Sequence, residues 1–404
     1  MPRARHTLLS MMKDEGADLL EWVAHHRLIG FDNICVYTND CRDGTDAMLD
    51  RMDQMGLVRH FANRIPPGKK PQPNALNLAE KNPQIIATDW LTVIDADEFI
   101  HIKVGAGHLD DLFAACPPST DGIAMTWRMM GSNGKVTWSP DPVIAQFDRG
   151  APDGFRKGWG IKMLFRPFPD MRLGIHRPTV KRAAKNPERL AALEALRWVN
   201  GSGQPMTKAF KRGQWRSSAA TIGRDLVEVA HFAVKSAEGY LLRHDRGNVN
   251  NKPDKYDATY FAIFDRNEDA HNGLARHLPA IRTQIAAWLA DPELARLYHG
   301  AIDWHQARLA AIRHAPNYAE RIAALGGAGA VPYAELDDLL FVQPLPPGSK
   351  QIVADLQAKG ISDRDIAQIV ARNVRKIEAR RDADDAAELA ALQDRRGSTG
   401  IADA

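Results

Sequence analysis

The stretch that most constrains this chain is Trp90-Leu91-Thr92-Val93-Ile94-Asp95-Ala96-Asp97-Glu98. Its first five residues are almost wholly apolar, the pattern of a strand buried on both faces of a parallel sheet. The strand then runs without a spacer into three acids. A buried strand ending in carboxylates needs their charge neutralised, and a divalent cation does so best. Asp95 and Asp97, one small residue apart, can offer one oxygen to a ribose and the others to Mg²⁺ or Mn²⁺ bridging phosphates. A lone Asp-x-Asp is short and also serves as an acidic turn or helix cap. Its position at the end of an apolar strand, however, is where open α/β sheets bind ligands.

The flanking sequence predicts such a sheet. His6 to Met12 reads as a first strand, followed by Lys13-Asp14-Glu15-Gly16 and by helical spacing of Leu19, Leu20, Val23 and Leu28 over Ala17 to Leu28. A second strand, Asn33 to Tyr37, ends in the turn formers Thr38 to Thr45 before a helix over Asp46 to Met55. Val58 to Phe61 suits a third strand, Ile65 to Pro73 a loop, and Asn74 to Lys81 a helix. From Gly122 to Phe168, short apolar runs such as Ile123 to Trp127 and Lys162 to Phe165 alternate with Gly, Pro and Trp, suggesting a mixed sheet that shapes an acceptor side. Glu188 to Val199 reads as helix, and Leu226 to Phe232 as a strand leading into a helix over Ser236 to His244. Beyond Asp265, Ala, Leu, Arg and Glu recur with helical period. Asn373 to Gln393 reads as an exposed charged helix and Asp394 to Ala404 as disordered. The expected organisation is an α/β domain over 1–262 and a helical region over 263–404.

With 404 residues the chain can bury a large core and form a cleft. Its 53 basic and 50 acidic side chains nearly balance, so no overall field recruits nucleic acid. Cys35, Cys41 and Cys116 form no Cys-x-x-Cys pair, which argues against a zinc site or disulfide framework. No apolar run approaches the roughly 20 residues of a bilayer span, and Met1 to Lys13 is unlike a secretory signal. A cytoplasmic protein is expected, with peripheral membrane contact left open.

Several spaced motifs resemble the family 2-like and family 92 glycosyltransferases. They are Glu21-Trp22-x-x-x-His26-x-x-x-Gly30-Phe31-Asp32, Val36-Tyr37-x-Asn39-x-x-x-Asp43-Gly44-Thr45, Asp89-Trp90 leading to Asp95-x-Asp97-Glu98-Phe99, Trp127-x-x-x-Gly131-Ser132, and His231-Phe232-x-x-Lys235-Ser236-x-Glu238-Gly239-Tyr240. Phe232 stands where the family often has Tyr, and Gly239 where an acid is common. The resemblance covers roughly residues 7 to 250. It implies a GT-A fold, a nucleotide-binding α/β sandwich with a metal held at Asp-x-Asp. The implied reaction moves a sugar from a UDP- or GDP-sugar to a glycan or polysaccharide, with inversion.

In that frame Lys13, Asp14 and Glu15 meet the nucleobase and ribose, and Asn39 and Asp43 read the base edge. The competing reading of Asp14, Asn39 and Asp43 is turn and helix capping. His231 joins Asp95 and Asp97 on the metal, or is a hydrogen-bonded structural histidine. Lys235 meets the β-phosphate at a helix start. Asp141 and Asp153 are candidate bases for the acceptor hydroxyl, or surface turn residues. His176 aligns roughly with a family histidine near donor or acceptor. Trp127 and Trp138 stack on sugars or fill the core. Arg243, Arg246, Asn248, Asn250 and Lys252 form a lid over the diphosphate or a solvated loop. Two rival functions are a nucleotidyl- or phosphotransferase and a catalytically silent nucleotide-sugar-binding scaffold. Neither G-x-x-x-x-G-K nor G-x-G-x-x-G, which would favour the first rival, is present.

Overall fold

The computed structural model describes residues 4–180, 186–246, 257–328 and 349–398. Strands β1 (Ala4–Met12), β2 (Asn33–Thr38), β3 (Arg59–Ala62) and β4 (Thr88–Val93) lie in the order β3-β2-β1-β4, all parallel. Helices α1 (Gly16–Leu28), α2 (Thr45–Gln54) and α3 (Pro71–Ala79) lie in the connections. Alternation along the strands feeds two cores. Leu8, Met12, Trp90 and Ile94 belong to one, and Leu9, Met11, Leu91 and Val93 to the other. The apolar run before the acids is therefore buried on both faces, as its composition predicts.

The second half of the sheet is mixed. It comprises β5 (Glu98–Ile102), β6 (Gly122–Met129), β7 (Ile161–Phe165), β8 (Trp198–Asn200) and β9 (Val227–His231). The order continues from β4 through β7, β6 and β9 to β5, with β8 also on β6. β7 runs antiparallel to β4 and β6, whereas β9 is parallel to β6 and antiparallel to β5. Asp95 and Asp97 thus lie on the crossing between central β4 and edge β5. There Phe232 N donates to Asp97 O at 2.8 Å, and His231 stands opposite Glu98 in the β9–β5 register.

Besides short helices over Pro83–Ile86, Leu109–Ala115 and Val143–Gln146, the later helices are α4 (Pro187–Ala195), α5 (Lys208–Gly213), α6 (Ala237–Arg246), α7 (Ala258–Phe264), α8 (Leu278–Trp288), α9 (Pro292–His314), α10 (Tyr318–Ala328), α11 (Ser349–Ala358) and α12 (Asp363–Ser398). α8 and α9 pack on α1, α9 also on α2 and α6, and α10 on α6 and α7. No helix among the described residues is long and apolar enough to cross a membrane.

The structure corrects several element boundaries. The helix expected over Glu188 to Val199 stops at Ala195, because Trp198 and Val199 are buried as β8 against Gly122 and Ile123. The helix expected from Asn74 starts at Pro71, where proline's missing N–H is not needed. The terminal helix continues through Ser398, beyond the expected order limit at Gln393. It is also docked rather than wholly exposed. Asp385 is buried and accepts from Thr207 Oγ1 at 2.9 Å, Asp382 pairs with Arg156 at 3.0 Å, and Glu388 accepts from Lys208 N at 2.7 Å.

Candidate functional site

The acids at the end of β4 find cations within the chain. Lys162 on β7, fully buried, places Nζ 3.0 Å from Asp95 Oδ2 and 3.2 Å from Glu98 Oε2. Burial opposes its charge, but Asp95 and then Glu98 outweigh that, so its ammonium titrates above the usual lysine range. Glu98 also accepts from Asp95 N at 2.8 Å, and burial pushes its carboxyl up despite Lys162. Asp97 Oδ2 lies 2.8 Å from Arg243 Nη1 and 3.5 Å from His231 Nε2. Burial alone would raise the Asp97 carboxyl. The Arg243 guanidinium, followed by His231, holds it well below the usual carboxylate range instead. Charge balance expected from a divalent ion is thus supplied in this state by Lys162 and Arg243.

Among the described residues, four buried carboxylate and imidazole atoms of this group have no hydrogen-bond partner: Asp95 Oδ1, Glu98 Oε1, His231 Nδ1 and the ion-paired Asp97 Oδ2. Among the described residues no three His, Cys, Asp or Glu side chains converge as a ready metal cage. Asp97 and His231, 3.5 Å apart, are donors of the kind a divalent ion takes, but Asp95 does not converge with them in this state, so ligand phosphates and water would have to supply most of the shell. They do not form a closed structural site.

Beside Asp97 is a cavity of about 70 Å³ walled by Asp14, Glu15, Asp18, Lys235, Arg243 and Arg246, with Trp304 and His305 entering from α9. Lys235, in the left-handed region at φ 54°, is bonded to Asp18. Arg246 Nη1 donates to the carbonyls of Lys13 and Asp14, both at 2.9 Å, and to Glu15 Oε1 at 2.7 Å. The Asp14 carboxylate is taken by Arg42, through its N at 2.6 Å and Nη2 at 2.8 Å. Lys13, Asp14, Glu15, Asp97, His231 and Lys235 are therefore brought to one edge of the sheet, with Asp95 on the Lys162 side of the same loop. Asn248, Asn250 and Lys252 lie outside the described residues.

Asn39 belongs to a second cavity, of about 640 Å³, at the ends of β2 and β3 with Asp40, His60, Asn63 and Arg64. Asp43 does not line it. Its carboxylate accepts from Gly16 N at 2.8 Å and from Thr45 N at 2.9 Å, tying α1 to α2. Asp141 is exposed, three residues after cavity-lining Trp138; its carboxylate accepts from Ser139 Oγ at 2.6 Å and its carbonyl from Gln146 Nε2. Asp153 sits in a separate network, 2.6 Å from Arg128 and 3.4 Å from Arg224, and its bond to Arg128 lowers its pKa. Trp127 packs on His231 and His176, with ring centroids 4.7 and 5.4 Å away.

Sequence reasoning missed Asp18, Lys162, Trp304 and His305. Lys162 left one faint signal, a lysine opening the apolar run Lys162-Met163-Leu164-Phe165. Asp18 falls in the first turn of α1, an ordinary place for an acid. Trp304 and His305 left none, because they reach the site from a distant helix.

No family profile matches the chain. A segment of 100 residues is 26% identical to a glycosyltransferase family 92 protein of Ricinus communis, covering 24% of this chain and 17% of that protein. The chain thus spans about a sixth of the curated relative it matches. Among solved structures, S. aureus TarS 1-349 is 12% identical with a TM-score of 0.33, covering 92% of this chain and 91% of that one. The same protein in complex with UDP is 12% identical with a TM-score of 0.34 at the same coverage.

Proposed function

We propose that the chain is a glycosyltransferase of GT-A type that draws on a UDP- or GDP-sugar and a divalent ion, Mn²⁺ or Mg²⁺. The observation that carries this reading is the meeting, at one end of a double-cored sheet, of Asp97 and His231 with the cations Lys235, Arg243 and Arg246. Carboxylate plus imidazole suits a metal, and a lysine with two arginines suits a diphosphate. The ion, held by Asp97, His231 and Asp95, would supply charge neutralisation for the leaving nucleoside diphosphate.

The chain's own side chains do the rest. Asn39 and the wide cavity around it take the base, while Lys13, Asp14 and Glu15 face the ribose. Asp43 acts there indirectly, by fixing the start of α1. Arg243 covers Asp97 in the resting state, so donor binding exchanges one cation for another and frees the guanidinium for a phosphate oxygen. Ligand pockets usually measure roughly 300 to 1,000 Å³, against about 70 Å³ beside Asp97. Donor entry therefore requires Arg243 and Arg246 to move. For an inverting transfer to a glycan or polysaccharide, Asp141 is the better-placed base, being free of cations. Asp153, ion-paired to Arg128, makes a weak one.

The test is release of nucleoside diphosphate from UDP- and GDP-sugars by the purified chain, with Mn²⁺ and with chelator. Metal-dependent release by wild type, lost in an Asp97→Ala protein that still unfolds in one cooperative transition above the assay temperature, is the expected result. Full activity in Asp97→Ala would sink the metal assignment, and no release from any donor would sink the transferase.

A further inference from the structure

From His231 an aromatic run leads away from the cationic cavity. Trp127 packs on His231 with centroids 4.7 Å apart, His176 on Trp127 at 5.4 Å, and Trp215 stacks on His176 at 4.4 Å and 22°. None of Trp127, His176 and Trp215 lines the cavity of Lys235, Arg243 and Arg246. Trp215, at the outer end, is 41% exposed.

This exposed ring lies on His176, with the Arg216 guanidinium over it at 5.7 Å from its centroid, and the backbone that carries it is fixed. Its carbonyl accepts from Ile161 N at 3.1 Å, and Ser217 N donates to Trp159 O at 2.8 Å on the other side of Arg216. Arg381 of α12 donates to Arg216 O at 2.8 Å. Under the run, a Cβ on Gly160 would lie 2.3 Å from the Trp127 ring, so only glycine lets that indole lie against the strand.

The polar atoms of the run are those of a neutral ligand site. The Trp127 indole N–H is buried and has no hydrogen-bond partner among the described residues. His176 Nδ1 donates to the Ile161 carbonyl at 3.2 Å, which leaves Nε2 with a lone pair. Burial and then the neighbouring Lys162 push its imidazole down to about 3, so it stays uncharged. An exposed indole with a hydrogen-bond acceptor beside it matches a sugar ring, which offers C–H groups on one face and hydroxyls at its rim.

We propose that Trp215, His176 and Trp127 form a stacking platform for the acceptor saccharide, on the side of Asp97 and His231 away from the donor's phosphates. This assignment of an acceptor rests on the transferase reading; the platform itself does not. Trp215 supplies the exposed part of its ring, His176 Nε2 addresses a hydroxyl, and the run ends at His231, where the reacting hydroxyl is delivered.

The experiment uses the full chain and saturation-transfer NMR with methyl glycosides of glucose, galactose, mannose and N-acetylglucosamine and their disaccharides. Wild type, Trp215→Ala and Trp215→Phe are compared, and the thermal shift given by UDP with Mn²⁺ is recorded for each. The expected result is binding of at least one saccharide, weakened roughly threefold to tenfold in Trp215→Ala and partly restored in Trp215→Phe, with the nucleotide shift unchanged. Saccharide binding that is equal in Trp215→Ala overturns the platform, as does no binding to wild type. A missing nucleotide shift in wild type, beside Trp215-dependent saccharide binding, overturns the transferase reading and leaves the platform standing.

Discussion

Lys162 decides how the acid loop survives burial. Two carboxylates, Asp95 and Glu98, share its ammonium at 3.0 and 3.2 Å, and removing one partner of such a group leaves charge buried and unpaired. Lys162→Met should cost about 3–5 kcal/mol of unfolding free energy at neutral pH. The deficit should shrink at lower pH, because carboxylates without their cation take up protons more readily in the folded state. Urea denaturation of both proteins at pH 7.5 and 5.5 checks this, and a deficit independent of pH contradicts it. The carboxylate side of this arrangement is legible in the sequence, since a strand buried on both faces leaves a contiguous apolar run and acids at its end stand out. The cation is not, because a single lysine opening an apolar strand looks the same whether it faces water or an acid two strands away in sequence.

At the scale of elements, much of what carries the family resemblance is architectural. Trp22 Nε1 donates to Glu98 O at 2.9 Å, His25 Nε2 lies 2.8 Å from Ile100 O, and the N–H groups of Val143 and Ile144 bond to the Glu21 carboxylate at 2.6 and 3.0 Å. α1 thus clamps β5 and so aims the loop that holds Asp95 and Asp97. Burial lowers the His25 imidazole well below its usual range and takes His26 to about 3. Histidines with depressed folded values stabilise fully above the unfolded value near 6.5, and that contribution is lost as pH falls toward the folded value. Each should add a slope of about 1.4 kcal/mol per pH unit below 6.5. His26→Gln should remove about one proton's worth of that slope in denaturant titrations between pH 7 and 5, and an unchanged slope contradicts the burial argument. The motif spacing was legible because it recurs along one helix. Sequence alone extends the helix of Glu188 to Val199, because Trp198 and Val199 are apolar in either state, and only their pairing with β6 makes them a strand.

Across the whole molecule, the helical region completes the sheet domain. α9 brings Trp304 and His305 to the cavity beside Asp97, and α12 fastens the segment bearing Trp215 through Asp382, Asp385 and Arg381. Asp385→Ala should destabilise the protein by about 1–3 kcal/mol, the range for a buried hydrogen bond to a charged group. Chemical denaturation measures this, and a change within error would show that the helix contributes no docking energy. Such docking left no mark in the sequence. A charged, Ala-rich helix reads as solvated because its partners, Arg156, Thr207 and Lys208, lie far away along the chain and impose no local period. The α/β alternation was legible for the opposite reason, each unit being specified within some thirty residues. In the proposed function, Asp97 and His231 hold a metal that brings a nucleotide-sugar to this sheet edge. The most direct measurement is a thermal-shift panel of UDP- and GDP-sugars with and without Mn²⁺. A ligand that binds only the folded state raises its stability as concentration passes its dissociation constant. A shift for one nucleotide class that needs Mn²⁺ and vanishes in Asp97→Ala is expected, whereas no shift with any donor, or one indifferent to the metal, overturns the metal-held nucleotide-sugar.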